Sequence, residues 1–382
     1  MTFKMDDEEL RAKVALSMFL GTSEAGLVRL LKTFGSAREI LRSGVLSRGL
    51  FPDLDWIGGS ILGDDRVERA LRILTAGSVR VTSILEPDYP ASLGLISNPP
   101  PILYARGRLP GKDEPLISLV GRRNPSASGR SMAYELGRSL ALSGIGVVSG
   151  LARGIDSEAH RGTLEGGGYA VAVLGTGIDV PYPVENRGLM ESIAEKGCVL
   201  SEFSPGTPPT RYNFPRRNRL ISGLTLGIVV IEAGMRSGSL TTARSAESQG
   251  KRIFVVPGDP TFPGTAGSNT LLRRGAIPVL SASDVVSRIP GTSAPPERRP
   301  ESKRHDLHGV DKRIFDALHS GPMDINSIVE ETALPANVIL SALVRLELDD
   351  AVERIPGNIF RIRPRFRAAR LPLGSNGGQR TK

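Results

Sequence analysis

Residues 211–219 read Arg-Tyr-Asn-Phe-Pro-Arg-Arg-Asn-Arg, with four arginines (Arg211, Arg216, Arg217 and Arg219) beside Tyr212 and Phe214 and no carboxylate among them. Guanidinium groups bind phosphate in a planar fork, and flat rings stack on bases. The two types together suit a single-stranded nucleic acid, whose bases are free to stack. The same run also reads as a solvated basic loop with two rings turned into the core. The glycine-rich segments on either side of it favour the nucleic-acid reading.

Those segments repeat one pattern, in which a short apolar run ends in glycine and small polar residues. The first ends Val120-Gly121-Arg122-Arg123-Asn124-Pro125-Ser126, with a helical stretch behind it. A glycine after a buried strand lets backbone N–H groups approach an anion, and a helix N-terminus adds a favourable dipole. The spacing matches neither the dinucleotide fingerprint nor a P-loop. The second ends Ser149-Gly150-Leu151-Ala152-Arg153-Gly154-Ile155-Asp156, with His160 one turn further on. Asp156 or Ser157 is expected to cap that helix. His160 shares its face with Asp156 and reads as a hydrogen-bonded histidine bracing the loop, because no nucleophile accompanies the pair. The third ends Leu174-Gly175-Thr176-Gly177. The fifth ends Glu232-Ala233-Gly234, followed by Ser237-Gly238-Ser239 and Thr241-Thr242, and the sixth ends Val256-Pro257-Gly258. In an open parallel sheet such ends line one crevice where ligands bind.

The expected mechanism is a phosphate grip. Gly121, Gly154, Arg123, Arg153 and Ser239 hold phosphates, Arg217 and Arg219 extend the track, and Tyr212 or Phe214 stacks on a base. Arg122, Ser149, Gly150, Gly175, Arg216, Asn218, Ser237, Gly238 and Thr242 complete the expected DNA- or phosphate-binding set. Asp156, His160 and Glu232 brace the loops. No catalytic residue, metal or cofactor is expected. The chain has four histidines and one cysteine, Cys198, so a disulfide within the chain and a cysteine-based zinc site are both excluded.

Charge supports an acidic partner. The net charge is +9, unevenly spread. Residues 115–290 carry 19 Lys+Arg against 13 Asp+Glu, a net of +6, while 306–360 carry 4 against 10, a net of −6, and 361–382 carry 7 against none. No apolar run is long enough for a membrane span, and the start of the chain lacks the order of a signal peptide. A cytoplasmic protein is expected.

Periodicity then places these residues on elements. Residues 8–48 read as short helices joined by glycine turns. Residues 85–110 read as an extended, Pro-rich connector. Between 116 and 289, β-branched runs at 116–120, 145–149, 170–174, 199–202, 227–232 and 252–257 alternate with helical stretches at 127–143, 155–165, 186–196 and 239–249. Alternation of this kind means a parallel sheet covered on both faces. Three helices and a hairpin around Pro356-Gly357-Asn358 describe a winged helix. The expected divisions are a helical domain at 1–80, a Rossmann-like DNA-binding domain at 81–290, a linker at 291–305, a winged helix at 306–362 and a basic, disordered tail at 363–382.

Taken in order, these motifs resemble the DNA-processing protein A family, DprA/Smf. The resemblance rests on Ser149–Asp156 with Ala159-His160, Ala172–Gly177 with Tyr182-Pro183, Ser201-Glu202, Phe214–Ser222, Glu232-Ala233, Arg236–Ser239 with Thr242-Ala243, and Val256–Gly258. It covers roughly residues 85–290, and the flanking helical (SAM-like, or helix–hairpin–helix-like) and winged-helix regions look like the family's three-part layout. In one departure, Arg122 fills a slot that is usually small, so the family's arginine aligns with Arg123. The resemblance implies a single-stranded DNA binder that protects incoming DNA and loads the RecA recombinase in natural transformation, working as a homodimer without catalysis. The competing class is a nucleoside-monophosphate phosphoribohydrolase-like enzyme on a related Rossmann fold, with Glu232 as base and Arg123 as phosphate anchor. The Pro-Gly-Gly-x-Gly-Thr loop characteristic of those enzymes is not in this chain.

Overall fold

The computed structural model describes residues 7–20, 24–47, 61–289, 309–348 and 351–363. Two compact units divide the chain, Met1–Pro295 and Pro296–Lys382. In the first, four helices lead: α1 (Asp7–Leu20), α2 (Glu24–Phe34), α3 (Ala37–Arg42) and α4 (Asp65–Ala76). Then come β1 (Arg80–Ser83), α5 (Ala91–Gly94), β2 (Ile102–Gly107), β3 (Leu116–Val120), α6 (Ala127–Leu142), β4 (Gly146–Ser149), α7 (Ile155–Glu165) and β5 (Ala170–Val173). The remainder is α8 (Arg187–Lys196), β6 (Cys198–Ser201), α9 (Asn213–Gly223), β7 (Gly227–Val230), α10 (Ser239–Ser248), β8 (Arg252–Val255), α11 (Ala266–Arg273), β9 (Ile277–Pro278) and α12 (Ala282–Val286).

The nine strands form one sheet in the order β1-β2-β6-β5-β4-β3-β7-β8-β9. Strands β6 to β9 in that order run parallel, and β2 joins β6 antiparallel with β1 beyond it. Every residue of β3 to β7 is buried, as strands covered on both faces require. From β3 the chain steps outward through β4, β5 and β6, then returns to the other side of β3 for β7 and β8. This reversal is a topological switch point, where loops part and leave a crevice at the strands' C-terminal ends.

Two expectations need correction. The connector at 85–110 contains α5 and β2, and β2 is an internal strand. Ile102, Leu103, Tyr104 and Ala105 are buried in succession, so the strand shows no alternation, and the prolines before it mask its start. The helical region at 1–80 is not a separate body, and its expected boundary cuts β1. Leu16, Leu31, Ile40, Val67 and Leu74 share one apolar cluster with Tyr104, Leu151, Ala172, Leu174, Ile178 and Val199 of the sheet layer. Ser17 bonds the Tyr104 hydroxyl and lies 3.1 Å from the Ser204 hydroxyl, while the fully buried Lys13 pairs with Glu86. The helices therefore cover one face of the strands that carry the crevice.

The second unit holds α13 (Gly309–Ala317), β10 (Met323–Asp324), α14 (Ile325–Thr332), α15 (Ala336–Leu348), β11 (Val352–Ile355) and β12 (Ile359–Ile362). Its antiparallel sheet has the order β10-β12-β11. The wing turns at Gly357 (φ +92°) and Asn358 (φ +57°). Ile314, Ile328, Ile339, Leu343 and Phe360 form its core. The linker at 291–305 and the tail beyond Arg363 lie outside the described residues.

Because the leading helices complete the sheet's core, truncating one of their buried side chains should weaken the whole first unit. Leu16→Ala should cost about 2–5 kcal/mol in chemical denaturation of the full chain. A loss below roughly 1 kcal/mol, within the range of surface substitutions, would mean that the helices are an appendage.

Candidate nucleic-acid interface

A cleft of roughly 750 Å³ opens at the switch point. Gly121, Arg122, Arg123 and Asn124 line it after β3, Tyr182 after β5, Arg211, Phe214, Arg217 and Asn218 from the α9 region, and Gly234, Arg236, Ser237, Gly238, Ser239 and Thr242 after β7. Five arginines face a single carboxylate, Asp156, among the described lining residues.

The loop after β3 is held from below. Glu232, itself buried, pairs with Arg122 at 2.9 Å and accepts hydrogen bonds from the Ser126 amide (3.1 Å) and hydroxyl (2.7 Å). Arg122 also lies 5.4 Å from the Phe262 ring centroid. Its charge is therefore committed to Glu232 while it borders the cleft. Gly154 caps α7 at φ +78°, where a Cβ would lie 2.5 Å from the carbonyl oxygens of both Arg122 and Arg123. The cap is thus Gly154, and neither Asp156 nor Ser157 fills that position. Asp156 instead accepts from the Gly150 amide at 3.1 Å, and Ser157 donates to the Gly154 carbonyl at 3.0 Å.

The arginine run is helical, and the helix sorts it. At 3.6 residues per turn, α9 sets Phe214, Arg217 and Asn218 toward the cleft. Arg216 and Arg219 turn toward Glu202 instead, with Arg219 Nη2 at 2.7 Å and Arg216 Nε at 3.5 Å from its Oε2. Arg216 also lies over the Phe203 ring. These two arginines neutralise a buried carboxylate, so the expected track from Arg217 to Arg219 does not form. Arg153 pairs with Glu185 outside the cleft lining. Tyr212 is 69% exposed, with the Arg211 guanidinium 4.8 Å from its ring centroid, and is outside the lining. Phe214 is half-buried at the cleft, with the Arg123 guanidinium 5.4 Å from its centroid, Tyr182 at 5.4 Å between centroids, and Gly175 against its edge. Ser149 is buried and donates to the Leu119 carbonyl at 2.6 Å. Ser237 and Ser239 share a 2.7 Å hydrogen bond at the start of α10, and Asn218 donates to the Gly238 carbonyl at 3.4 Å.

Arg217 is 4% exposed. Its Nη1 donates to the carbonyls of Gly150 (2.9 Å) and Val173, at the ends of β4 and β5, and Gly150 has no Cβ because that atom would lie 2.5 Å from the guanidinium. Burial draws the guanidinium down to about 10, Asp156 opposes this through space, and the like charge of Arg123 adds to it. No carboxylate among the described residues forms an ion pair with Arg217. Burial raises Asp156, against the attraction of Arg217 and the amides around it. His160 is fully buried, and neither ring nitrogen meets a hydrogen-bond partner among the described residues. It braces the loop by packing alone, which corrects the expected hydrogen bond.

Among the charged and aromatic residues of the lining, three fall outside the set assigned from the sequence: Arg211, Arg236 and Tyr182. Arg211 belongs to the same basic run and Arg236 immediately precedes Ser237, so adjacency was the available signal. Tyr182 follows β5 by a loop whose path periodicity does not give.

Burial, then the nearby Arg217 charge, pushes His160 down to about 3, whereas an unfolded histidine titrates near about 6.5. Between those values only the unfolded chain holds the proton. The stability contributed by neutral His160 is therefore full above about 6.5 and declines by about 1.4 kcal/mol per pH unit below it. His160→Leu should make unfolding free energy less pH-dependent between about 6.5 and 5 by that slope. Identical slopes in the two proteins would show that His160 is accessible to protons when folded.

The family model described as DNA recombination-mediator protein A matches residues 80–290, and that of the DprA winged helix domain matches 295–358. Protein Smf of Synechocystis sp. is 34% identical over 307 residues, covering 71% of this chain and 77% of its own. The DNA processing protein DprA of Streptococcus pneumoniae is 40% identical over 207 residues, 54% of this chain and 73% of its own. Its X-ray structure superposes with a TM-score of 0.60 at 31% identity, covering 75% of this chain and 99% of that one. The nine-stranded sheet with its arginine-lined switch point and the winged helix that follows it in sequence thus have a known lineage, and the chain belongs to the DprA/Smf family of DNA recombination-mediator proteins A.

Proposed function

We propose that the cleft binds the backbone of single-stranded DNA, and that the protein is a recombination mediator which protects incoming DNA and delivers it to the RecA recombinase during natural transformation. In this reading it works in the cytoplasm as a homodimer and catalyses no reaction. The observation that carries the DNA-binding part is the Arg217 guanidinium, buried without an ion-pair partner and facing a second cation, Arg123. A buried charge is costly unless neutralised. A phosphate in the cleft supplies the missing anion and relieves the repulsion between the two arginines. Arg211 and Arg236 extend the positive rim, and the Ser237 and Ser239 hydroxyls and the N-terminus of α10 offer donors to phosphate oxygens. The roles in RecA delivery, dimer formation and transformation rest on family membership.

The absence of catalysis is supported by Glu232. Its carboxylate is occupied by Arg122 and Ser126, which leaves it no part as a general base for the nucleoside-monophosphate reading. The winged helix is acidic, and its α15 exposes Leu340 and Val344, with Arg345 tied to Asp311 at 2.6 Å. That face suits a protein surface better than a DNA groove.

Fluorescence anisotropy with a labelled thymidine oligonucleotide tests the cleft. Binding should fall steeply with salt, and Arg123→Ala should weaken it about tenfold while lowering the salt slope by about 0.7. Arg153→Ala, which removes an exposed arginine outside the cleft, should change affinity less than about twofold. Equal losses in the two variants would contradict the assignment. Deleting residues 306–382 should leave most of the binding intact, with a modest loss from the basic tail. A large loss would move the main site into the second unit.

A further inference from the structure

We propose that Tyr182 is the base-stacking platform of the cleft, and that it sets the preference for strands whose bases are unpaired. This rests on the single-strand reading of the same site. Of the six tyrosines in the sequence, five have an engaged hydroxyl. Tyr89 donates to the Pro100 carbonyl at 2.7 Å and Tyr169 to the Arg108 carbonyl; Tyr104 meets Ser17, Tyr134 meets Glu165 and Tyr212 accepts from Arg211. The Tyr182 hydroxyl meets no partner among the described residues. Its ring is 37% exposed and borders the cleft.

The ring is also firmly presented. Before it, Thr176 donates to the Val180 carbonyl at 2.7 Å, and Gly177 donates to the Thr207 carbonyl at 2.9 Å. After it, Pro183 is buried and Asn186 reaches back to the Leu151 carbonyl at 2.8 Å. Both sides of the loop are thus tied to buried backbone, so little ordering entropy remains to be lost when a ligand stacks. Phe214 backs the ring at 5.4 Å with the planes tilted by 37°. Phe214 is half-buried, with Arg123, Gly175 and Tyr182 around it, which leaves Tyr182 as the more exposed of the two rings that line the cleft. Of the other exposed rings nearby, Tyr212 lies outside the cleft lining beside Arg211, and Phe262 lies outside it against Arg122. A nucleobase can slide onto Tyr182 only when splayed out of a duplex, which gives selectivity for single strands without reading sequence.

The test compares a thymidine oligonucleotide with an abasic strand of equal length, which keeps the phosphates and removes the bases. Stacking worth about 5- to 150-fold in affinity per base is expected from such platforms. The wild-type chain should therefore prefer the thymidine strand by at least about fivefold. Tyr182→Leu should lose that preference by weakening thymidine binding alone, and Tyr182→Phe, which keeps the ring, should retain it. Equal weakening of both strands by Tyr182→Leu would assign the residue to loop packing and overturn the proposal. So would a wild-type protein that binds both strands equally, although the phosphate cleft would then stand. A wild-type protein that binds neither strand would overturn the single-strand reading and this proposal together.

Discussion

The cleft depends on one buried cation. Arg217 reaches from α9 across the ends of β4 and β5 and ties two strand-end carbonyls together. Two neutral carbonyls take Nη1 while the buried Nε meets no partner among the described residues, and the charge is offset only through space by Asp156 and Glu202, so the interior near the switch point stays electropositive. That charge is held in a medium of low dielectric, where fields are strong and water does not dilute them. The surrounding parts accommodate it: Gly150 leaves room for it, Asp156 is turned to the Gly150 amide, and His160 remains neutral beside it. A phosphate entering the cleft meets a site whose attraction was prepared during folding.

The neighbouring arginines show how local structure assigns different tasks to one residue type. Arg122 is spent on Glu232, and Arg216 and Arg219 on Glu202. Arg123 covers Phe214 and keeps its charge at the cleft. Burying Glu202 and Glu232 requires those cations, since a lone buried carboxylate is costly. The structural arginines therefore fix the loops, and the rest face solvent or a ligand. The leading helices belong to the same construction, because they cover the sheet face beneath the β4 and β5 loops through Leu151, Leu174 and Ile178.

Much of this was legible in the sequence. Continuous β-branched runs with glycine ends pointed to the parallel sheet, its crevice and about half of the residues that line it, because buried strands and close backbone approaches restrict residue choice. Strand β2 was hidden because burial on both faces removes alternation, and prolines beside it resemble a connector. A run of arginines suggests a continuous track, but at 3.6 residues per turn Arg217 points away from Arg216 and Arg219. The pairing of Arg219 with Glu202 is a contact between α9 and the end of β6 that no local pattern encodes. Tyr182 was visible as a residue but not as a contributor, since its position depends on a loop pinned by Leu151 and Thr207.

A structure of the full chain with a short thymidine oligonucleotide bears most directly on the central claim. A backbone phosphate should sit between Arg123 and the buried Arg217, at the ends of β3 and β4, with the strand running over the switch point. A strand lying instead along Arg216 and Arg219 on the Glu202 side, or only on the winged helix, with the Arg217 region free of phosphate, would contradict it.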